Sequence, residues 1–501
     1  MLDNKIKKII ILGGGSAGWM TAAALGKISK ATNLNIQLIE SADIGTIGVG
    51  EATLTALRQF NSLLGIDENE FIKATKGTFK LGIKFVNWGK VGSEYHHAFG
   101  QSGTRIGDAK FYQYWLKLNA LGKVEKYDNY TLNALAAEQK RFMRAFDAGN
   151  SPLSGLDHGF HIDASLYAQY LRTLAENWGV VRTEGKVEQV TQHDNGFIKS
   201  LILADGSEHH ADFFIDCSGF RALLIGETLK TEFEDWSHWL PCDRAITVAT
   251  KKVEEPWPYT QSTAHSAGWQ WRIPLQHRVG NGHVYSSKYM SDEQAKKILL
   301  ENVEGELLSE PTLIKFKAGY RKQSWHKNCL AIGLSSGFIE PLESTSLHFV
   351  QSAIEQLFKF FPTLAFEQED INEYNQQTNY KIESVRNLLI THYHVTSRDD
   401  SDFWRYCRTM AVPPEVSQKI NQFSYNGRII RFNDNMYENT SWFQIMNGQG
   451  LTPKTYDPLV DLLPEAVIER QMNNVLDVVK KSAAYMPTHQ GFIEENCLAN
   501  K

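Results

Sequence analysis

The first fifty residues constrain the fold more than any other stretch. Residues 6–12 (IKKIIIL) are apolar and β-branched enough to form a strand buried on both faces. Gly13-Gly14-Gly15-Ser16-Ala17-Gly18 follows at once, and then TAAALGKI, whose small residues suit a helix. A second apolar run, LNIQLIE, ends in Glu40, 22 residues beyond Gly18. Strand, glycine turn, helix and a strand closing on an acid is the order of a dinucleotide-binding βαβ unit, with the acid on the ribose. There Gly13 permits the tight turn, Gly15 lets the backbone approach a pyrophosphate, and Gly18 allows close helix–strand packing. The unpaired N–H groups at the helix start, beside Ser16 and Ala17, present the positive end of the dipole to the phosphates. A glycine turn with a purely structural purpose is the alternative. Lys5, Lys7 and Lys8 before the apolar run outline a secretory leader, but three consecutive glycines break it where a leader is helical.

The remainder of the chain extends this start into an α/β protein. Residues 163–179 read as an amphipathic helix capped by Asp163 and stopped by Gly179. Two strands follow, with Asp205-Gly206 as a hairpin turn. Residues 245–287 look like sheet, 345–362 like helix, and the last hundred are mostly helical and rich in aromatics. With 501 residues and neither repeat nor linker, the domains are expected to interleave. Residues 1–400 are expected to form a discontinuous cofactor-binding and catalytic core, with substrate-pocket insertions around 54–160 and 240–320. Residues 401–501 are expected to form a substrate-side portion.

Composition narrows the partners. Lys+Arg 52 against Asp+Glu 57 gives a net charge of −5, and no basic block is long enough to follow a phosphate backbone, so nucleic acid is not expected. No apolar stretch reaches the roughly 18 residues of a membrane span. The five cysteines stand far apart and never as CxxC, which argues against a disulfide framework or structural zinc and fits a reducing cytoplasm. No His, Asp or Glu cluster has metal-ligand spacing.

FAD is favoured over NAD by two later segments. Ala211 to Gly219 (ADFFIDCSG) is an apolar strand entering a small-residue turn, as when a strand returns to the cofactor in FAD-containing hydroxylases. Gly333 to Glu343 (GLSSGFIEPLE) is another glycine turn running toward a helix, which could bring N–H dipoles to a flavin ring.

With these segments in view, the chain resembles the flavin-dependent halogenases of the tryptophan-halogenase type over nearly its whole length. GWQWRIP at 268–274 matches the WxWxIP signature, and GVGEAT at 48–53 matches the flavin-contacting loop. YHHAFG at 95–100, GHVYSS at 282–287, PLEST at 341–345 and DSDFWRYC at 400–407 resemble further family segments. The resemblance implies an FAD-binding Rossmann-like core of the aromatic-hydroxylase and halogenase type, with an interleaved, partly helical substrate-binding portion. It also implies that reduced FAD, supplied by a separate NAD(P)H-dependent flavin reductase, acts with O2 to oxidise bound bromide or chloride to hypohalous acid. That oxidant reaches a lysine beside a small aromatic substrate. A homodimer is common among such proteins, although no feature of the chain proves one.

Carried onto this sequence, the family lysine is Lys80 in TFKLGI, and the companion glutamate is Glu343 in PLEST, followed by Ser344. The halide falls to the backbone of Thr345 and Ser346. Flavin contacts are implied at Gly50, Glu51, Ala52, Thr53, Val187, Leu334 and Leu347, beside the glycine turn. Substrate contacts are implied at His97, Phe99, Trp269, Trp271 and Trp442. Physical chemistry gives each residue a second reading. An amine between apolar walls loses hydration, which disfavours its charged form; such an amine can hydrogen-bond hypohalous acid or become a haloamine. In strand geometry, however, Lys80 and Gly82 share the face opposite Phe79 and Leu81, and a solvated strand lysine is the alternative. Glu343 can act as a general base or simply favour the dipole of the helix that follows. Trp269 and Trp271, alternating on one strand face, can wall off a compartment while also being core tryptophans. His97 and Phe99 can sandwich an electron-rich ring, and His97 can equally be a core histidine.

Three departures from the family pattern bear on specificity. PLEST is followed by Ser346, Leu347 and His348 where Gly, Ile and Tyr are usual, which leaves halide preference open. GEAT lacks its usual proline. The stretch Ser441 to Gly450 shows none of the paired tyrosines and glutamate that grip the amino-acid group of free tryptophan. Burying a zwitterion without charged partners is costly, so a less polar indole or phenol, or a larger natural product, is expected, with a lean toward bromide. An aromatic hydroxylase and a non-catalytic flavin-binding protein are the competing functions.

Overall fold

A computed structural model describes residues 4–42, 50–430 and 436–500. Gly48 and Val49 of the GVGEAT segment lie outside the described residues. The chain divides into two interleaved units. One comprises residues 1–76, 162–238 and 316–383, the other residues 77–161, 239–315 and 384–501. Residue 401, the expected start of the substrate-side portion, falls inside the second unit.

The first unit is built on the isoleucine run. Strand Lys8–Leu12 pairs in parallel with Phe213–Asp216 on one side and Asn35–Glu40 on the other. Val181–Glu184 and Cys329–Ala331 extend the parallel sheet, and Trp325–His326 closes it antiparallel. Ile9, Ile10 and Ile11 have no exposed surface, as a strand covered on both faces requires. Helix Ser16–Thr32 packs against helices Ala164–Asn177 and Ser346–Lys359. Ile10, Leu12, Ile39 and Phe214 meet Val187, Ile198, Leu201 and Leu203 of a three-stranded antiparallel sheet, together with Leu223 to Ile225. Asp163 caps its helix by accepting hydrogen bonds from the N–H groups of Ser165 and Leu166. Gly206 supplies the positive φ of 81° in the hairpin turn.

The second unit is built on a seven-stranded sheet. Its order is Thr312–Lys315, Arg244–Lys251, Arg278–Tyr285, Gly268–Pro274, Thr260–His265, Gly82–Val86 and Glu94–Ala98. All neighbours are antiparallel except Thr260–His265 with Gly82–Val86. Trp88, wholly buried, anchors an aromatic core with Trp269, His392, Tyr393 and Trp404. All five cysteines are buried and free of disulfides, and no helix among the described residues is long and apolar enough to cross a membrane.

Several histidines are held neutral inside this fold. Desolvation pushes His283, His348 and His489 down to about 4 and His161 well below its ordinary value. In the unfolded chain these imidazoles take up protons first, so their contribution to stability is complete above pH 6.5 and is lost as pH falls toward 4. Calorimetry across that window should show a steadily falling melting temperature; a flat or rising one contradicts the neutral burial of these groups.

Candidate functional site

The flavin-binding features belong to the first unit, and backbone geometry explains the glycines. Gly13 takes φ 118°, and a Cβ there would lie 2.2 Å from the Cys217 carbonyl oxygen. A Cβ on Gly18 would lie 1.8 Å from the Gly13 oxygen, so helix Ser16–Thr32 can start this close to the strand only with glycine at 18. At Gly15 a Cβ would meet nothing within 4 Å. The backbone there borders open space at the uncapped start of the helix, where donors suited to phosphate oxygens are left over. The residues present therefore fit a dinucleotide. Ser16 Oγ donates to the Ala164 oxygen, and a Cβ on Gly333 would come within 2.8 Å of Ala17 Cβ, so the second glycine turn closes on the first. That turn continues through half-buried Leu334 to Ser335, whose hydroxyl is buried.

Glu40 ends its strand beside this turn, where a Cβ on Gly14 would fall on its carboxylate, and it pairs with Arg182. Gly50–Ala52 is a short strand leading to buried Thr53. The Glu51 carboxyl sits in a desolvated position that pushes it up to about 7. Val187, by contrast, puts its side chain into the apolar core with Leu12 and Ile39, which leaves its main chain for the expected flavin contact.

The PLEST segment forms the turn Pro341–Glu343 and then starts helix Ser346–Lys359. Ser344 takes the left-handed conformation at φ 60°, which turns the chain into the helix. Glu343 and Thr345 are buried, and no side chain caps the helix. The Thr345 hydroxyl is enclosed without a hydrogen-bond partner. A buried orphan donor at the positive end of a helix, next to the free amides of Thr345 and Ser346, is suited to a small anion. Leu347 in the first turn is buried, and His348 beside it is held neutral.

The amine and the aromatic residues belong to the second unit. Lys80 ends strand Thr78–Lys80, opposite Gly159, and has no exposed surface, which removes the solvated alternative. The alternation read across residues 79–83 fails, because they are not one strand. Leu81 donates its N–H to Pro258, and the chain enters the large sheet only at Gly82. Lys80 Nζ lies 5.3 Å from the centre of the Phe99 ring, and Phe99 is tied back through its N–H to the Leu81 oxygen. His97, buried two residues earlier, lies 5.9 Å from Tyr437 at a 45° tilt.

Trp269 and Trp271 share one sheet face with ring centres 6.0 Å apart. Gly282 opposite Trp271 is needed because a Cβ would lie 2.0 Å from the indole. Trp269 is a core residue against Trp88, whereas the Trp271 indole N–H is buried without a partner. Trp442 is buried under the Lys419 ammonium, 4.6 Å from its ring.

Sequence reasoning missed the supports of Lys80. His161 lies between two threonines: its Nδ1 is 3.0 Å from Thr78 Oγ1 and its Nε2 is 2.9 Å from Thr260 Oγ1. Thr78 Oγ1 donates to the Pro274 oxygen, so it accepts from His161 Nδ1–H, and Nε2 accepts from Thr260. His489 accepts the Phe79 N–H from 410 positions away. No local pattern could have revealed either histidine.

The glycine geometry separates folding from binding. Gly18→Ala should lower the melting temperature by several degrees and abolish FAD binding. Gly15→Ala should leave the melting temperature unchanged while weakening FAD binding, measured by flavin fluorescence titration. Unaltered affinity in Gly15→Ala contradicts this placement of the cofactor.

Comparison with known proteins agrees with this geometry. A family model described as tryptophan halogenase matches residues 8–465. The tryptophan 6-halogenase of Streptomyces toxytricini is 32% identical over 499 residues, covering 94% of both chains. A flavin-dependent halogenase from Xanthomonas campestris has a similar structure, with TM-score 0.96 and 41% identity over 99% of each chain. Another, from Brevundimonas sp. BAL3, gives TM-score 0.95 at 41% identity, covering 99% of this chain and 100% of its own. This chain belongs to the tryptophan halogenase family of FAD-dependent halogenating enzymes.

Proposed function

We propose that this protein takes reduced FAD from a separate NAD(P)H-dependent reductase and halogenates an electron-rich aromatic, indole-like or phenolic, that is less polar than free tryptophan. The observation that carries the reading is Lys80, an amine without exposed surface set against the Phe99 ring. An ordinary lysine is not buried in this way, because its charged form loses hydration. When bound, reduced FAD with O2 supplies the oxidising power that turns halide into hypohalous acid.

The residues of the chain do the remaining work. The amides of Thr345 and Ser346 hold the halide, and Ser344 sets the direction of that helix start. Lys80 receives hypohalous acid by hydrogen bonding, or exchanges one N–H hydrogen for halogen with loss of water. The ring attacks the halogen, and Glu343 takes the proton that the ring gives up. His97 and Phe99 hold the ring flat, Trp442 adds a further aromatic contact, and Trp269 and Trp271 wall off the compartment.

The preference against free tryptophan is supported by helix Asn439–Gly448. Its Gln444 is committed to the structure, accepting from the Ala98 N–H and donating to Ser102 Oγ. It offers no charged partner for an ammonium or carboxylate. The chain has one dinucleotide turn, which fits an external reductase, and buried thiols suit a reducing cytoplasm.

The test is a mass-spectrometric screen of indole, tryptophan and simple phenols, with FAD, a flavin reductase, NADH, O2 and either bromide or chloride. Halogenated indole with little halogenated tryptophan is expected, with bromide the better halide. Halogenated tryptophan as the main product overturns the substrate reading, and oxygenated product formed without halide overturns halogenation in favour of hydroxylation.

A further inference from the structure

The strand that carries Lys80 is only three residues long, Thr78–Lys80, and pairs with Gly159–Asp163 along one edge. In that register the Phe79 N–H points away from the paired edge, and it is taken up by His489 Nε2 at 3.1 Å. An N–H donates, so Nε2 holds a lone pair and the proton is on Nδ1, which donates to the Pro256 oxygen at 2.8 Å. The backbone of His489 is pinned separately, since its N–H donates to the Lys140 oxygen and Thr488 bridges Arg141. His489 is 1% exposed. An imidazole fixed at both nitrogens thus sets the position of the Thr78–Phe79 peptide group, one residue ahead of Lys80.

We propose that His489 is a positioning residue for halogen transfer, holding the Phe79 N–H so that the Lys80 amine stays where it receives hypohalous acid. This rests on the reading of Lys80 given above. His489 acts on the amine through one backbone hydrogen bond. Its loss frees the end of a short strand, and misplacement by about 1 Å at a reacting group costs on the order of a hundredfold in rate. The steps at the flavin do not involve this strand, so the defect appears as uncoupling: hypohalous acid escapes and is not transferred.

Two near-isosteric variants separate the two bonds of the ring. Gln places an acceptor near Nε2 and keeps the contact to Phe79, whereas Asn places its amide near Nδ1 and keeps only the contact to Pro256. Halogenated product per NADH consumed, with escaping oxidant read by monochlorodimedone, should fall at least about tenfold in His489→Asn and stay within about twofold in His489→Gln. Equal melting temperatures with that split support positioning. Equal coupling in both variants, whether intact or lost, overturns it. Lys80→Met runs beside them. If it still halogenates, the reading of Lys80 fails; if it is inactive while His489→Asn couples normally, only the role of His489 fails. Should His489→Asn not fold, 15N NMR of histidine-labelled wild-type protein decides, with the Nδ1–H tautomer at His489 expected and the Nε2–H tautomer overturning the proposal.

Discussion

The structure depends on keeping one primary amine out of water. Lys80 has no exposed surface, and an ammonium so placed must be held by its surroundings or give up its charge. Those surroundings are made at several points. Thr78 is bonded to Pro274 and His161, Phe79 stacks on Phe142 at 4.1 Å and is held through its N–H by His489, and Leu81 is bonded to Pro258. The histidines involved are neutral, so these two side chains hold the strand without themselves adding positive charge beside the amine. Electrostatic repulsion by Lys80 is itself one cause of the low affinity of His161 for protons.

The first unit offers sites for anions by a different physical route. Its glycine turn and the start of helix Ser346–Lys359 both leave amide donors unpaired at a helix N-terminus, where the dipole favours negative charge. Main-chain donors are insensitive to side-chain replacement as long as the turn survives. Ser346 can therefore stand where glycine is usual and still leave the amides of this helix start in place for the halide proposed above.

How far the sequence could be read depended on whether the determining interactions were local. The isoleucine strand, the glycines at 13 and 18, the Asp163 cap and the Asp205-Gly206 turn follow from local rules, and each is found where those rules put it. Strand alternation at Lys80 misled because Leu81 is the crossing between two sheets, and the period of two holds only within one strand. Val187 was legible as part of a strand but not as a core residue, since its partners Leu12 and Ile39 come from a different sheet. Tyr437, His161 and His489 are brought in across long separations, where no spacing in the chain foretells a contact.

The central claim is that oxidation of halide and halogenation of the ring are separate events joined by Lys80. A single-turnover experiment tests it directly: Lys80→Ala, loaded with fully reduced FAD, is mixed with O2, bromide and indole while flavin reoxidation, hypobromous acid and bromoindole are followed together. Flavin reoxidation at the wild-type rate, with hypobromous acid released in place of bromoindole, is the predicted result. Bromoindole at the wild-type yield from the variant would contradict the account.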